Sequence, residues 1–105
     1  MDTAPILQFV DEALSAKTGK HLHDLQRGII DGILKRQKYS DIAHSYGCTA
    51  GHAKDVGYEL LQMLSDVFGE SVDKRNLKSV LKRQSTIKIA LNNINNIDGN
   101  KLFRI

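Results

Sequence analysis

Side chains suited to duplex recognition are concentrated near the middle of the 105-residue chain. An imidazole, an ammonium group, a carboxylate and a phenol can all form hydrogen bonds with base edges, and the ammonium group can also bind phosphate. The residues predicted to face DNA here are Thr49, Ala50, His52, Lys54, Asp55 and Tyr58. Phosphate repels a carboxylate, so an internal cap or salt bridge is the alternative role for Asp55.

Cations precede this stretch and are predicted to bind the DNA backbone on either side of a groove. They are Lys35, Arg36 and Lys38. Together with Lys54 they would make four phosphate contacts, which gives a log–log salt slope of roughly −3.6.

A second set of cations follows the stretch and forms a possible secondary basic surface. Lys74, Lys78 and Lys82 are spaced by four residues, so they share one helix face. Arg75 and Arg83 stand beside them. An ordinary solvated helix face explains the same pattern without any ligand.

No enzyme motif accompanies these side chains. The sequence has no GxxxxGK phosphate loop and no GxGxxG after a strand. Its four histidines lack the additional cysteines or paired carboxylates of a metal site. Cys48 is the single cysteine, and we expect it to be buried as a small hydrophobe, with a reactive thiol as the alternative. We therefore expect no catalytic residue, no metal and no cofactor.

The elements that must position these side chains form a predicted helix-turn-helix over residues 39–64. Ile42 and Ala43 give the first helix an apolar side, Gly47 ends it in the left-handed conformation, and Thr49 caps the second helix. The apolar residues of the second helix recur at helical spacing: Ala53, Val56, Leu60 and Leu64.

Further helices are predicted on both sides of this motif. The first is capped by Asp2 or Thr3 and ends at Gly19, and the second covers Leu22 to Lys35. Gly28 and Gly32 in the second helix favour close packing of another helix over a ligand role. Asp73 caps a later helix. The prediction is an all-α domain over residues 1–83 and an extension over residues 84–105, a helix and then a loose tail.

Charge is divided unequally along the chain. Residues 1–72 contain seven Lys and Arg against ten Asp and Glu, or −3, whereas residues 73–105 contain eight against two, or +6. The basic end favours an anionic partner, although the helix-turn-helix itself is not strongly basic. No apolar run is long enough for a membrane span, the N-terminus lacks the pattern of a secretory signal, and a cytoplasmic protein is expected.

A single recognition helix binds DNA weakly, so we expect a homodimer. The long motif helix ending at Phe68 is one candidate interface. The helix after Asp73 is the other, with a seam of Leu77, Val80, Ile87, Leu91 and Ile94. Packing of these residues inside the monomer is the alternative.

Separate blocks of the sequence resemble one known family in the same order. They are AKTGKHLHDLQ, YSDIAHSYGCT and HAKDVGYEL, with SVDKRNLKSVLKR matching the closing helix. Residues 5 to about 83 resemble the vWA-MoxR-associated protein N-terminal helix-turn-helix domain, a tetrahelical fold similar to that of LuxR and sigma factors. The resemblance implies a bacterial, often cyanobacterial, DNA-binding regulator. Because that domain commonly precedes a signalling ATPase, a protein-interaction adaptor for such an ATPase is the alternative.

Two residues depart from the pattern of this family at helix starts. His23 stands where the family tends to place Ser or Thr, and Lys38 where Thr is usual. Each loses a capping oxygen worth about 1 kcal/mol unless another group replaces it, and Ser40 is an alternative cap for a shortened helix. A cation at a helix N-terminus opposes the helix dipole, so Lys38 suggests a phosphate contact.

Overall fold

The computed structural model describes residues 3–87, and this part of the chain consists of five helices without a strand. They are α1 (Ala4–Thr18), α2 (Asp24–Leu34), α3 (Tyr39–Tyr46), α4 (Ala50–Phe68) and α5 (77–87). This confirms the predicted all-α helix-turn-helix fold, in which α3 and α4 form the motif. None of these helices is both long and apolar enough to cross a lipid bilayer. The predicted tail lies outside the described residues.

One apolar cluster lies between the helices and holds them together. Burial of each Leu, Ile or Val side chain contributes about 1.5–3 kcal/mol relative to exposure, more than helix propensity supplies. The largest fully buried side chains come from all five helices: Val10, Ile29, Ile30, Ile42, Leu60, Leu64, Leu77, Val80 and Leu81.

The predicted dimer seam after Asp73 is largely used inside the monomer. Leu77 is fully buried and Val80 is 2% exposed, and both belong to the apolar cluster. Ile87 is 47% exposed, and Leu91 and Ile94 lie outside the described residues. The helix periodicity was therefore correct, but Leu77 and Val80 fix α5 to its own domain and cannot serve a second copy.

Helical glycines set the distance between α3 and its neighbours. A Cβ on Gly28 would collide with the ring of Tyr46, and a Cβ on Gly32 would lie 2.5 Å from the Ile42 side chain. Both partners belong to α3, which confirms that these glycines permit close helix packing. Gly57 of α4 accommodates the Tyr39 ring in the same way, since a Cβ there would lie 2.5 Å from the Tyr39 hydroxyl.

The helix ends inside the motif agree with the sequence. Gly47 follows α3 with φ 68°, and Gly19 and Gly69 also adopt the left-handed conformation after α1 and α4. The Thr49 hydroxyl accepts the His52 N–H at 3.1 Å, so Thr49 caps α4. These interactions involve neighbouring residues only, which is why sequence patterns predict them well.

The other helix starts correct several expectations. Thr3 precedes α1 but does not cap it, because its hydroxyl donates to Asp31. His23 replaces the usual hydroxyl: its Nδ1 accepts the Gln26 N–H at 3.4 Å, and the Gln26 side chain accepts the His23 N–H at 3.0 Å. Helix α2 therefore begins at Asp24, two residues after the predicted Leu22.

Ser40 is not the cap of α3, because that helix already begins at Tyr39. The Asp41 side chain instead accepts the Lys38 N–H at 3.2 Å. Lys38 contributes no capping oxygen, since an ammonium group can only donate.

Candidate nucleic-acid interface

The polar side of α4 is exposed, as the sequence predicted. Its apolar side is buried and contains Ala53, Gly57, Leu60, Leu61 and Leu64. The candidate recognition residues lie on the opposite side or at the helix start, and all of them are exposed: Thr49, Ala50, His52, Lys54, Asp55 and Tyr58. Tyr58 has 58% of its surface accessible. These side chains are therefore accessible to a ligand that approaches α4, and the turn before α5 lies beside Asp55 and Tyr58.

The side chains on this face make few contacts with one another. Lys54 Nζ lies 5.7 Å from the centre of the Tyr58 ring, within range of a weak cation–π interaction. Asp55 forms no ion pair with another described residue, so the salt-bridge alternative for Asp55 finds no support there. Cys48 is half-buried in the turn before α4, less enclosed than predicted.

A cleft of about 380 Å³ lies where the α2–α3 connection meets the start of α5. Ile33 and Leu34 form its apolar part, with Gln37 beside them. No carboxylate lines it. We call this the basic cleft because its remaining lining residues are five cations: Arg36, Lys38, Lys74, Arg75 and Lys78.

The basic cleft joins two sets of residues that the sequence presented separately. Arg36 and Lys38 belong to the set predicted to flank the DNA groove, and Lys74, Arg75 and Lys78 belong to the secondary surface. Some 40 residues separate the two sets in the chain. Burial of one side of α5 in the core brings them together, and no local pattern in the sequence could have indicated this.

The cleft cations have no acidic partner among the described residues, whereas Arg27, Lys35 and Arg83 are each paired with a carboxylate. Lys35 Nζ lies 3.1 Å from Asp31, and Arg83 is paired with Glu70. Hydrogen bonding from Arg83 lowers the pKa of the Glu70 carboxyl. Lys35 and Arg83 thus belong to internal ion pairs, and neither they nor Lys82, which is exposed, line the cleft.

Arg36 adopts an unusual backbone conformation with φ 61°. It follows the C-terminus of α2, where its N–H donates to the Ile33 carbonyl and the Gln37 N–H donates to the Gly32 carbonyl. Glycine is the usual residue at this position, because the left-handed conformation costs other residues about 1–2 kcal/mol. An arginine therefore occupies a site that the backbone favours for glycine, and sequence patterns gave no sign of it.

Two helices begin at the edge of the basic cleft. Lys38 immediately precedes α3, and Lys74 and Arg75 lie in the turn that leads into α5. Asp73 caps this turn, because its carboxylate accepts the N–H groups of Arg75 and Asn76 at 2.8 and 2.9 Å. Helix N-termini carry partial positive charge, so α3 and α5 add to the positive potential of the cations.

A larger depression of about 560 Å³ lies between α4 and the start of α5. Lys74 and Arg75 line it as well as the basic cleft. We call it the mixed groove, because carboxylates and tyrosines face the two cations across it: Asp55, Glu59, Asp73, Tyr39 and Tyr58.

Tyr39 lines the mixed groove and contacts Lys74, which lines both depressions. Lys74 Nζ stands 4.7 Å from the centre of its ring, and its hydroxyl is buried without a hydrogen-bond partner among the described residues. Burial raises the pKa of the Tyr39 hydroxyl. Tyr39 thus supports the position of Lys74 and packs on Gly57, and its hydroxyl faces protein instead of solvent.

Comparison with known proteins identifies one family. The sequence profile described as vWA-MoxR associated protein N-terminal HTH matches residues 1–84. No curated protein and no solved structure matches the chain. The matched range includes the helix-turn-helix motif and all the cations of the basic cleft.

Proposed function

The chain belongs to the family of vWA-MoxR associated protein N-terminal helix-turn-helix domains, and we propose that it binds double-stranded DNA as a regulatory protein with α4 as its recognition helix. The observation that carries this proposal is the exposed polar face of α4, supported from behind by α3. A helix with one free side fits the major groove of B-DNA, which is about 12 Å wide.

The residues of α4 have different roles in this proposal. Ala50, at the helix start, contacts a thymine methyl group, and His52 and Asp55 form hydrogen bonds with base edges. Lys54 and Tyr58 reach a base or the neighbouring phosphates. The Thr49 hydroxyl is already engaged by the His52 N–H, so Thr49 positions the helix start for close approach to the duplex.

A homodimer in the bacterial cytoplasm completes the proposal. A single helix-turn-helix module buries about 600–1,000 Å² on DNA, which gives weak binding to one half-site. Two copies on neighbouring half-sites, one helical turn apart, would bind far more tightly. Among the described residues of the predicted seam, Ile87 is exposed and free to contact a second copy.

The first test measures whether α4 contacts the duplex. Lys54→Glu should weaken binding to a mixed-sequence duplex about tenfold at 0.1 M salt, because one phosphate contact is lost. Lys20→Glu is the matched control: it changes the net charge from +3 to +1 equally, on an exposed loop before α2. An equal loss in both variants would mean that only total charge matters.

The second test measures whether α4 reads bases. Selection from a random duplex pool should yield a preferred sequence for the wild-type chain. The double variant His52→Ala/Asp55→Ala should lose or change this preference while keeping its helical circular dichroism, since both side chains are exposed. An identical preference in both proteins would exclude base recognition by these residues.

A second candidate function is docking to a signalling ATPase of the kind named in the family description. The observation in its favour is the acidic side of the mixed groove, where Asp55 and Glu59 accompany the exposed Tyr58. Carboxylates oppose phosphate, whereas an aromatic side chain with polar neighbours is typical of protein interfaces. Calorimetric titration with the ATPase should then give an affinity that changes little between 0.05 and 0.3 M salt and falls in Tyr58→Ala.

A further inference from the structure

We propose that the basic cleft binds the sugar–phosphate backbone of DNA next to the groove that α4 occupies, so that the α2–α3 connection and α5 form part of one interface. This inference rests on the proposed DNA-binding function and adds to it a second contact surface. It requires that the cations of the cleft are unpaired, that the backbone carrying them is fixed, and that the cleft adjoins α4.

No carboxylate of the described fold balances the charge of the cleft. Five cations line it without a carboxylate, and none of the five lies within ion-pair distance of an acidic group among residues 3–87. Like charges gathered in this way repel one another and do not help the chain to fold. An external anion with several charges neutralises them all, as a DNA backbone does.

The backbone segments that carry the cations are held in place before any ligand arrives. Hydrogen bonds to Ile33 and Gly32 fix the backbone of Arg36 and Gln37 at the end of α2. The burial of Leu77 anchors α5, and the Asp73 cap orders the turn that carries Lys74 and Arg75. A fixed backbone loses less conformational freedom on binding than a mobile loop, which favours affinity.

The cleft is continuous with the exposed side of α4. Lys74 and Arg75 line both depressions, and the mixed groove extends from them to Asp55 and Tyr58 on α4. A duplex seated on α4 therefore has one of its strands passing over this cationic edge. The guanidinium groups of Arg36 and Arg75 can each bind a phosphate through two parallel hydrogen bonds.

The surroundings of the cleft favour a nucleic acid over a lipid surface. Membrane-binding surfaces combine cations with exposed apolar side chains that enter the bilayer interface. In the described part of the chain, the exposed large hydrophobic residues are Tyr46, Tyr58 and Ile87, and none of them lines the cleft. Its apolar residues, Ile33 and Leu34, are themselves buried.

The experiment uses the full chain and the double variant Arg75→Gln/Lys78→Gln. Both side chains are exposed and form no ion pair with a described residue, so the fold should persist. Binding to a mixed-sequence duplex is followed by fluorescence anisotropy from 0.05 to 0.3 M salt. Loss of two phosphate contacts should reduce the log–log salt slope by about 1.8. If the wild-type chain and the variant bind equally at 1 M salt, this change in slope makes the variant bind roughly 60-fold more weakly at 0.1 M salt.

The matched control is Lys17→Gln/Lys20→Gln, which lowers the net charge from +3 to +1 in the same way on exposed positions near the end of α1. It should keep the wild-type slope. The sequence preference of the cleft variant should also remain unchanged, because phosphate contacts carry no base information. Equal slopes in the cleft variant and the control would overturn the inference.

The outcomes separate this inference from the proposed function. If Lys54→Glu weakens DNA binding but the cleft variant does not, the cleft inference fails and recognition by α4 stands. If the cleft variant weakens binding and Lys54→Glu does not, the cleft stands and recognition by α4 fails. If the chain binds phosphatidylserine vesicles and no duplex at 0.05 M salt, both fail.

Discussion

The basic cleft and the mixed groove share Lys74 and Arg75 but differ in what faces these two cations. In the basic cleft the other charged side chains are those of Arg36, Lys38 and Lys78, so all the charges that line it are positive. In the mixed groove the opposing charges are carboxylates, which reduce the effect of the same cations. The comparison shows that the position of acidic groups, more than the number of basic ones, determines which surface suits a polyanion. A net charge of +3 alone would not distinguish the two.

The largest expected effect concerns Tyr39, which lines the mixed groove and contacts Lys74. Gly57→Leu should lower the free energy of unfolding by about 2–3 kcal/mol, because the added side chain meets the Tyr39 ring in a packed position. Gly51→Leu is the control on the same helix, since a Cβ at Gly51 has no neighbour within 4 Å. It should stabilise α4 by somewhat less than 1 kcal/mol through helix propensity. Urea denaturation of both variants measures the difference, and similar values would contradict the packing described here.

The second prediction concerns a substitution that makes the charge of the mixed groove more positive, like that of the basic cleft. Glu59→Lys should strengthen duplex binding up to about tenfold at 0.1 M salt by adding one phosphate contact. Asp66→Lys is the control, because it makes the same charge change at an exposed position of α4 outside the groove. Anisotropy titrations of both variants would reveal equal gains if only net charge, and not its position, governs binding.

The third prediction tests the Tyr39 hydroxyl, which has no hydrogen-bond partner among the described residues. Tyr39→Phe should raise the free energy of unfolding by about 1 kcal/mol, because it removes a buried polar group that lacks a hydrogen bond. Tyr58→Phe should change stability by less than about 0.5 kcal/mol, since that residue is exposed. A loss of stability in Tyr39→Phe would show that its hydroxyl has a partner in solution.

The smallest expected effect is a dependence on acid pH from the Glu70–Arg83 pair outside both depressions. The pKa of Glu70 is lower in the folded chain than its ordinary value of 4.5. This ionised carboxylate therefore contributes stability above pH 4.5, and the contribution is lost as the pH falls through the folded-state pKa. Thermal melting between pH 3 and 6 should show a shallower decline in Glu70→Gln than in the wild-type chain. Parallel curves would mean that the pair contributes nothing to stability.

Local patterns predicted much of the fold. Gly47 and Thr49 located the turn and the start of α4, because helix stops and caps depend on residues a few positions apart. The apolar periodicity correctly assigned Ala53, Leu60 and Leu64 to the buried side. The error at Ser40 arose where a side chain three residues into the helix, that of Asp41, supplied the missing interaction.

The candidate site was less predictable, because its geometry depends on contacts between distant segments. The pattern of α5 was compatible with a solvated basic face or a ligand-binding one, and with a dimer seam or packing inside the monomer. The burial of Leu77 and Val80 selects packing inside the monomer for these two residues, and Lys74 and Arg36 line the same cleft. The ion pair of Lys35 with Asp31 was likewise not indicated by composition. Sequence reasoning identified the cations as candidates, and packing determines which of them share a surface.

Lys74 and Arg75 line both depressions, so a ligand in the basic cleft and a ligand in the mixed groove compete for the same two side chains. Two ligands that both need these side chains cannot saturate the domain together. Thermodynamic linkage requires that a ligand in one depression lowers the affinity of the other by the same factor in both directions. A partner that docks between α4 and α5 and engages Lys74 and Arg75 would thus weaken the binding of any ligand in the basic cleft, without any change in helix positions.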